Sequence, residues 1–162
     1  MLAAVAPLLG PGLFVGYRNR DEQTSGFQLT ATGTVEAVDD VEWNVSRTTT
    51  SIAEADGVGK PVALLIGRST ASAAEGIVIA FTGRLATRSF GTATAGVPTG
   101  NSGIDLSDGS ALVLTTTIGI DRNGHTYEAA INPDTPIDST GSDDQARPAA
   151  HAWLESQSPC NQ

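Results

Sequence analysis

Apolar and polar positions along the 162 residues fall into short runs whose period switches between that of a helix and that of a strand. Residues 1–10, MLAAVAPLLG, predict an amphipathic helix ended by Gly10-Pro11-Gly12. LFVGY at 13–17 predicts a strand, with a polar turn over 19–26. Candidate strands at 27–32 and 41–46 flank the acidic stretch EAVDD, which reads as their connection; VEWNV in the second alternates like a half-exposed strand. Residues 47–59, rich in Thr, Ser, Ala and Gly, predict a surface connection. PVALLIG at 61–67 is a continuous apolar run bounded by Lys-Pro and Gly, the pattern of a strand buried on both faces.

The next segment, ASAAEGIVIAFTGR, is apolar nearly all round and predicts an interior helix. LATRSFG predicts a strand, and TATAGVPTGN a loop of small residues whose glycines allow close approach of a ligand. IDLSDGSALVLTTTIGIDRNGHTYE predicts a meander, because Asp108-Gly109 and Asn123-Gly124 carry the turn chemistry that needs positive φ. Residues 132–141 form a Pro- and Asp-containing loop, and DDQARPAAHAWLESQ a terminal helix whose start Asp143 and Asp144 favour. The sum is an α/β chain with a mixed sheet, one domain over 1–157 and a short tail over 158–162.

Composition narrows the function classes. Eighteen acidic residues against nine basic ones give a net charge of -9 with no cationic cluster, so a phosphate-neutralising surface is missing and nucleic acid is excluded as a partner. The single cysteine, Cys160, has no partner for a disulfide, which leaves the redox compartment open. No apolar run reaches the length that spans a bilayer, and the N-terminal run lacks the basic residues of a signal peptide. No spaced His/Cys cluster and no phosphate-cradling glycine motif occurs, so neither a metal nor a nucleotide cofactor is expected.

The chemistry concentrates in one corner, KPVALLIGRSTASAAEGIVIAF, where Ser69 and Ser72 stand between strand and helix. Pro61 to Ile66, then Thr70-Ala71-Ser72-Ala73-Ala74-Glu75, resembles the C-terminal processing, or tail-specific, serine protease family. Gly83-Arg84, Gly91 to Gly96, Leu106 to Leu112 with Leu114-Thr115-Thr116, Asn123-Gly124, Ile131 to Asp134 and Gln145 to Leu154 continue the resemblance in order. Residues 1–12 are similar to the branch that includes the nisin-resistance proteins. The resemblance implies a ClpP/crotonase-like superhelix, a peptide or protein substrate cleaved near its C-terminus, and an extracytoplasmic setting. It implies Ser72 as nucleophile, the N–H of Ala73 as an oxyanion donor at a helix N-terminus, and Glu75 as an orienting partner.

Two departures accompany it. Much of the family carries a lysine base in a loop of the form G-x-x-T-x-G-K; aligned on Gly91, Thr94 and Gly96, this chain has Val97 there. Lys60, the only lysine, precedes the strand rather than following the helix. In the nisin-resistance branch the base resembles a histidine from further upstream in the domain. The expectation is therefore a partial domain whose base comes from a missing upstream segment or a partner chain.

Other readings of the same residues exist. A serine before a helix is a preferred N-cap. Gly67-Arg68-Ser69-Thr70-Ala71 is one substitution from the G-x-S-x-G elbow, with Asp108 or Asp121 and His125 or His151 in the order an α/β-hydrolase needs. A non-catalytic peptide-binding remnant is the alternative within the resembled family. Trp43 and Trp153 read as packing residues.

Overall fold

The computed structural model describes residues 2–10, 12–29, 35–39, 59–137 and 145–157. It is a mixed α/β structure. Helix α1 (Leu2–Leu9) leads through Gly10, at φ 74, into β1 (Gly12–Asn19) and then β2 (Thr24–Leu29) and β3 (Val35–Asp39). Strand β4 (Val62–Ile66), helix α2 (Ala73–Phe81) and β5 (Thr87–Gly91) form a parallel crossover unit. After it come β6 (Thr99–Asp105), β7 (Ala111–Ile120), β8 (Thr126–Tyr127), β9 (Thr135–Pro136) and α3 (Ala146–Ser156).

Two sheets result. One is antiparallel in the order β3-β2-β1-β7-β6, with β8 also on β7; the other is parallel in the order β4-β5-β9. Helix α2 lies between them, because its Ile79, Ala80 and Phe81 share one core with Val15 of β1 and with Val62 and Leu64 of β4. The alternate β4 residue, Ala63, faces a second cluster with Phe90, Ala146, Ala150 and Trp153, so α3 covers the other side of the parallel sheet. Trp153 packs its ring 5.9 Å from that of Phe90 and lies under the Arg88 guanidinium, a packing role as its sequence context predicts.

The meander forms as its turns predict, with Gly109 at φ 84 and Gly124 at φ 85. Four expectations need correction or limit. EAVDD is not a connection: Val35–Asp39 pairs with β2 from Leu29 to Ser25, and its charges suit an edge strand that must resist further pairing. The Pro-Asp loop contains β9, a two-residue parallel bridge to Phe90 and Gly91. β4 is not buried on both faces, since it is an edge strand and Leu65 is 47% exposed. The strand at 41–46 with Trp43, most of the 47–59 connection, and Asp143 and Asp144 lie outside the described residues.

Candidate active site

The corner between β4 and α2 is built by short-range bonds. Gly67 N–H donates to Thr70 Oγ1 at 3.1 Å and Thr70 N–H returns to Gly67 O at 2.8 Å, folding residues 67–70 into a closed turn. Ala74 N–H to Ala71 O and Gly76 N–H to Ser72 O then start the helix. Ser69 and Ser72 are both exposed on this turn.

Ser72 has φ 51 and ψ -114. An ordinary N-cap residue has extended backbone angles, and this region is one that side-chain-bearing residues rarely enter. Its neighbour Ala73 is the first residue of α2, where helix geometry leaves the N–H without an intrahelical acceptor.

Glu75, one turn into α2, is fully buried. Its Oε2 accepts the N–H of Ser72 at 2.8 Å and of Val97 at 3.0 Å; its Oε1 accepts the Thr94 hydroxyl at 2.6 Å and the Gly96 N–H at 2.9 Å. Burial alone pushes the carboxyl up. The four hydrogen bonds outweigh it and hold Glu75 below the usual glutamate range. With every near lone pair engaged, this carboxylate is an anchor rather than a proton acceptor. Thr94 extends the anchor, since its hydroxyl accepts the Ile131 N–H and its own N–H bonds Ile131 O. Ala95 N–H reaches Thr70 O, so the loop at 92–97 is stitched to both sides of the corner.

Thr94, Gly96 and Val97 are the site residues that sequence reasoning does not assign. Only Thr94 carries a side-chain signal, through the G-x-x-T-x-G spacing; Gly96 and Val97 act through backbone N–H groups. The backbone nitrogens of Val97 and Ser72, bonded to one oxygen, lie less than about 6 Å apart, and the Val97 isopropyl group is half-exposed.

The residues of the elbow reading are not brought together. Asp121 is buried and accepts the Asn123 and His125 N–H groups and the Tyr127 hydroxyl, which burial and this carboxylate push up to about 12. Arg122 of the same turn bonds Ala80 O and Asn123 lies against Gly83, at the end of α2 opposite Ser72. Asp108 closes the β6–β7 turn on Ser110, His125 is exposed, and His151 on α3 is exposed and paired with Glu155 at 3.4 Å. Lys60 stands two residues before β4, a strand about 17 Å long whose far end leads to Ser72. A cavity of about 350 Å³ exists, but it is lined by Phe81, Gly83, Arg84 and Asp134, at that same far end of α2.

Residues 1–137 match peptidase family S41. The chain belongs to this family. It is 26% identical over 159 residues to the nisin-resistance protein of Lactococcus lactis subsp. lactis, covering 97% of this chain and 45% of that protein. Among solved structures, a lipoprotein from Streptococcus agalactiae superposes with a TM-score of 0.66 at 26% identity, covering 96% of this chain and 49% of the other. The photosystem II D1 C-terminal processing protease shares the fold, with a TM-score of 0.56 at 22% identity over 84% of this chain and 30% of its own. The chain thus spans about half the length of the relatives it matches, or less. Among its described residues, no helix is long and apolar enough to cross a membrane.

Proposed function

We propose that this S41 chain carries the nucleophile half of a serine peptidase site of the tail-specific type, with Ser72 as the attacking group and peptides or proteins as substrates. The observation that carries the reading is the backbone of Ser72, at φ 51 and ψ -114 on the N-terminus of α2. A plain cap has no need of such a conformation, whereas a nucleophile presented above a helix does.

In this mechanism Ser72 Oγ attacks the scissile carbonyl as a general base takes its proton. The Ala73 N–H and the positive end of α2 stabilise the oxyanion. Collapse of the tetrahedral intermediate breaks the C–N bond, the base returns the proton to the leaving amine, and water then releases the acyl group from Ser72. Glu75 holds the Ser72 amide and the 94–97 loop in place and takes no proton. We assign the base to a segment or partner chain outside these 162 residues, because Lys60, His125 and His151 all lie elsewhere. The arrangement of α2 between two sheets fits a ClpP/crotonase-like superhelix, and the lipoprotein among the relatives fits an extracytoplasmic location.

The same remoteness of Lys60 and both histidines favours one second reading, a non-catalytic peptide-binding member of the family. Labelling by a fluorophosphonate separates the two, using this chain alone, the chain with an added upstream segment, and the Ser72→Ala and Ser69→Ala variants. Labelling that needs Ser72 and appears with the extension supports the peptidase. Labelling that survives Ser72→Ala, or silence in every form, overturns it.

A further inference from the structure

The ribbon formed by β6 and β7 starts two residues after Val97. β1 pairs β7 only from Thr117 to Ile120, so among the described residues β7 from Ala111 and β6 from Asn101 continue as a two-stranded ribbon. Residues here are exposed or half-exposed on both faces. Ile104 is opposite Leu112 and Ser102 opposite Leu114, which puts these three aliphatic side chains on one face, each 43–44% exposed. Asn101, Asp105 and Thr115 share the other face by the same register. A two-stranded ribbon of this length is marginal without a third element. Among the described residues no strand pairs with the outer edge of β6.

That edge begins at the site. Val97, whose N–H shares the Glu75 oxygen with Ser72 N–H, is followed by Pro98 and then by the first residue of β6. We propose that an extended peptide adds to the outer edge of β6 as a further strand, main chain to main chain, and is thereby led to Ser72. The proposal rests on the peptidase reading and names how its substrate is held. An added strand sends alternate side chains to the two faces. One set extends the Ile104, Leu112 and Leu114 face and favours apolar residues. Charge sets the other preference: Asp105 and Asp108 stand at the ribbon's far end, no Lys or Arg occurs between Arg88 and Arg122, and the chain carries -9 overall. The fitting peptide is apolar at alternate positions and cationic. β4, the other edge strand leading to Ser72, is less suited, because α2 packs on its Val62 and Leu64 face and an added strand would find room only on the opposite face, where Leu65 is half-exposed.

The test reads binding, so it stands apart from turnover. The probe is a soluble peptide of alternating Thr and Leu with a Lys at each end, about ten residues long, enough to span β6. With the full chain, this peptide is expected to slow hydrogen exchange of the β6 amides at least about fivefold. Of two versions N-methylated at alternate residues, only the one whose methyl groups block the pairing edge should lose protection. Asp105→Lys should weaken binding about two- to fivefold at low salt, and Ser72→Ala should bind as the parent does. Absence of protection on β6, protection confined to β4, or equal behaviour of both N-methylated peptides overturns the proposal. Protection of β6 in a chain whose Ser72 never labels leaves this surface standing and removes only the peptidase reading.

Discussion

Thr94 donates its hydroxyl to the Glu75 carboxylate at 2.6 Å in a spot closed to solvent. This bond, with three backbone N–H groups on the same carboxylate, turns one buried charge into the joint between the nucleophile corner and the loop that faces it. Glu75→Gln keeps the shape but replaces an acceptor oxygen with an NH2 group that meets N–H donors. The variant should lose about 1–3 kcal/mol in urea unfolding, and Ser72 labelling in the extended protein should fall with it. An unchanged midpoint would mean that the joint does not hold the corner.

The same carboxylate sets an acid limit. Its folded pKa lies below the ordinary glutamate value of 4.5, so the folded state binds its proton more weakly than the unfolded chain does. The resulting stability is complete above about 4.5 and is lost as pH falls through the lower folded value. Unfolding midpoints measured from pH 7 downward should therefore drop more steeply in the parent than in Glu75→Gln. Parallel curves would sink this assignment.

Ser72 offers a test of stored strain. Glycine accepts φ 51, ψ -114 without the clash that any Cβ brings, whereas Ser72→Ala retains it. Ser72→Gly should be about 1 kcal/mol more stable than Ser72→Ala, although both lack the hydroxyl. Equal or reversed stabilities in denaturant titration would show that the corner is relaxed, and the argument against a simple cap would fall.

Legibility in the sequence followed the range of the interaction. The β4–α2–β5 unit, the meander and α3 are written in local patterns, and the glycines at 109 and 124 announce their turns by demanding positive φ. β3 hides behind Glu36 and Asp39, because an edge strand tolerates charge that a local pattern reads as a loop. β9 is two residues held only by a parallel partner 45 positions away, from Phe90 to Thr135, so nothing local signals it. At the site, Ser72 and Glu75 stand in a motif. Of their partners at 94–97, Thr94 and Gly96 fall on the G-x-x-T-x-G spacing, but no pattern tells that they meet Glu75, since a buried carboxylate can be satisfied by the amides of Gly96 and Val97 whatever side chains those residues bear.

Val97 is the position where that limit can be turned into an experiment. Its amide and that of Ser72 meet on one oxygen, its side chain is half-exposed, and by the family resemblance its place is that of a lysine in many relatives. Val97→Lys puts a titratable amine on a flexible stem beside Ser72. Fluorophosphonate labelling of Ser72 in this chain should rise by about tenfold or more, and should climb with pH as the amine loses its proton. Val97→Met, similar in length but without a proton acceptor, should gain nothing. If lysine and methionine behave alike, Val97 does not face the nucleophile, and the route from Ser72 through Val97 into β6 loses its first step.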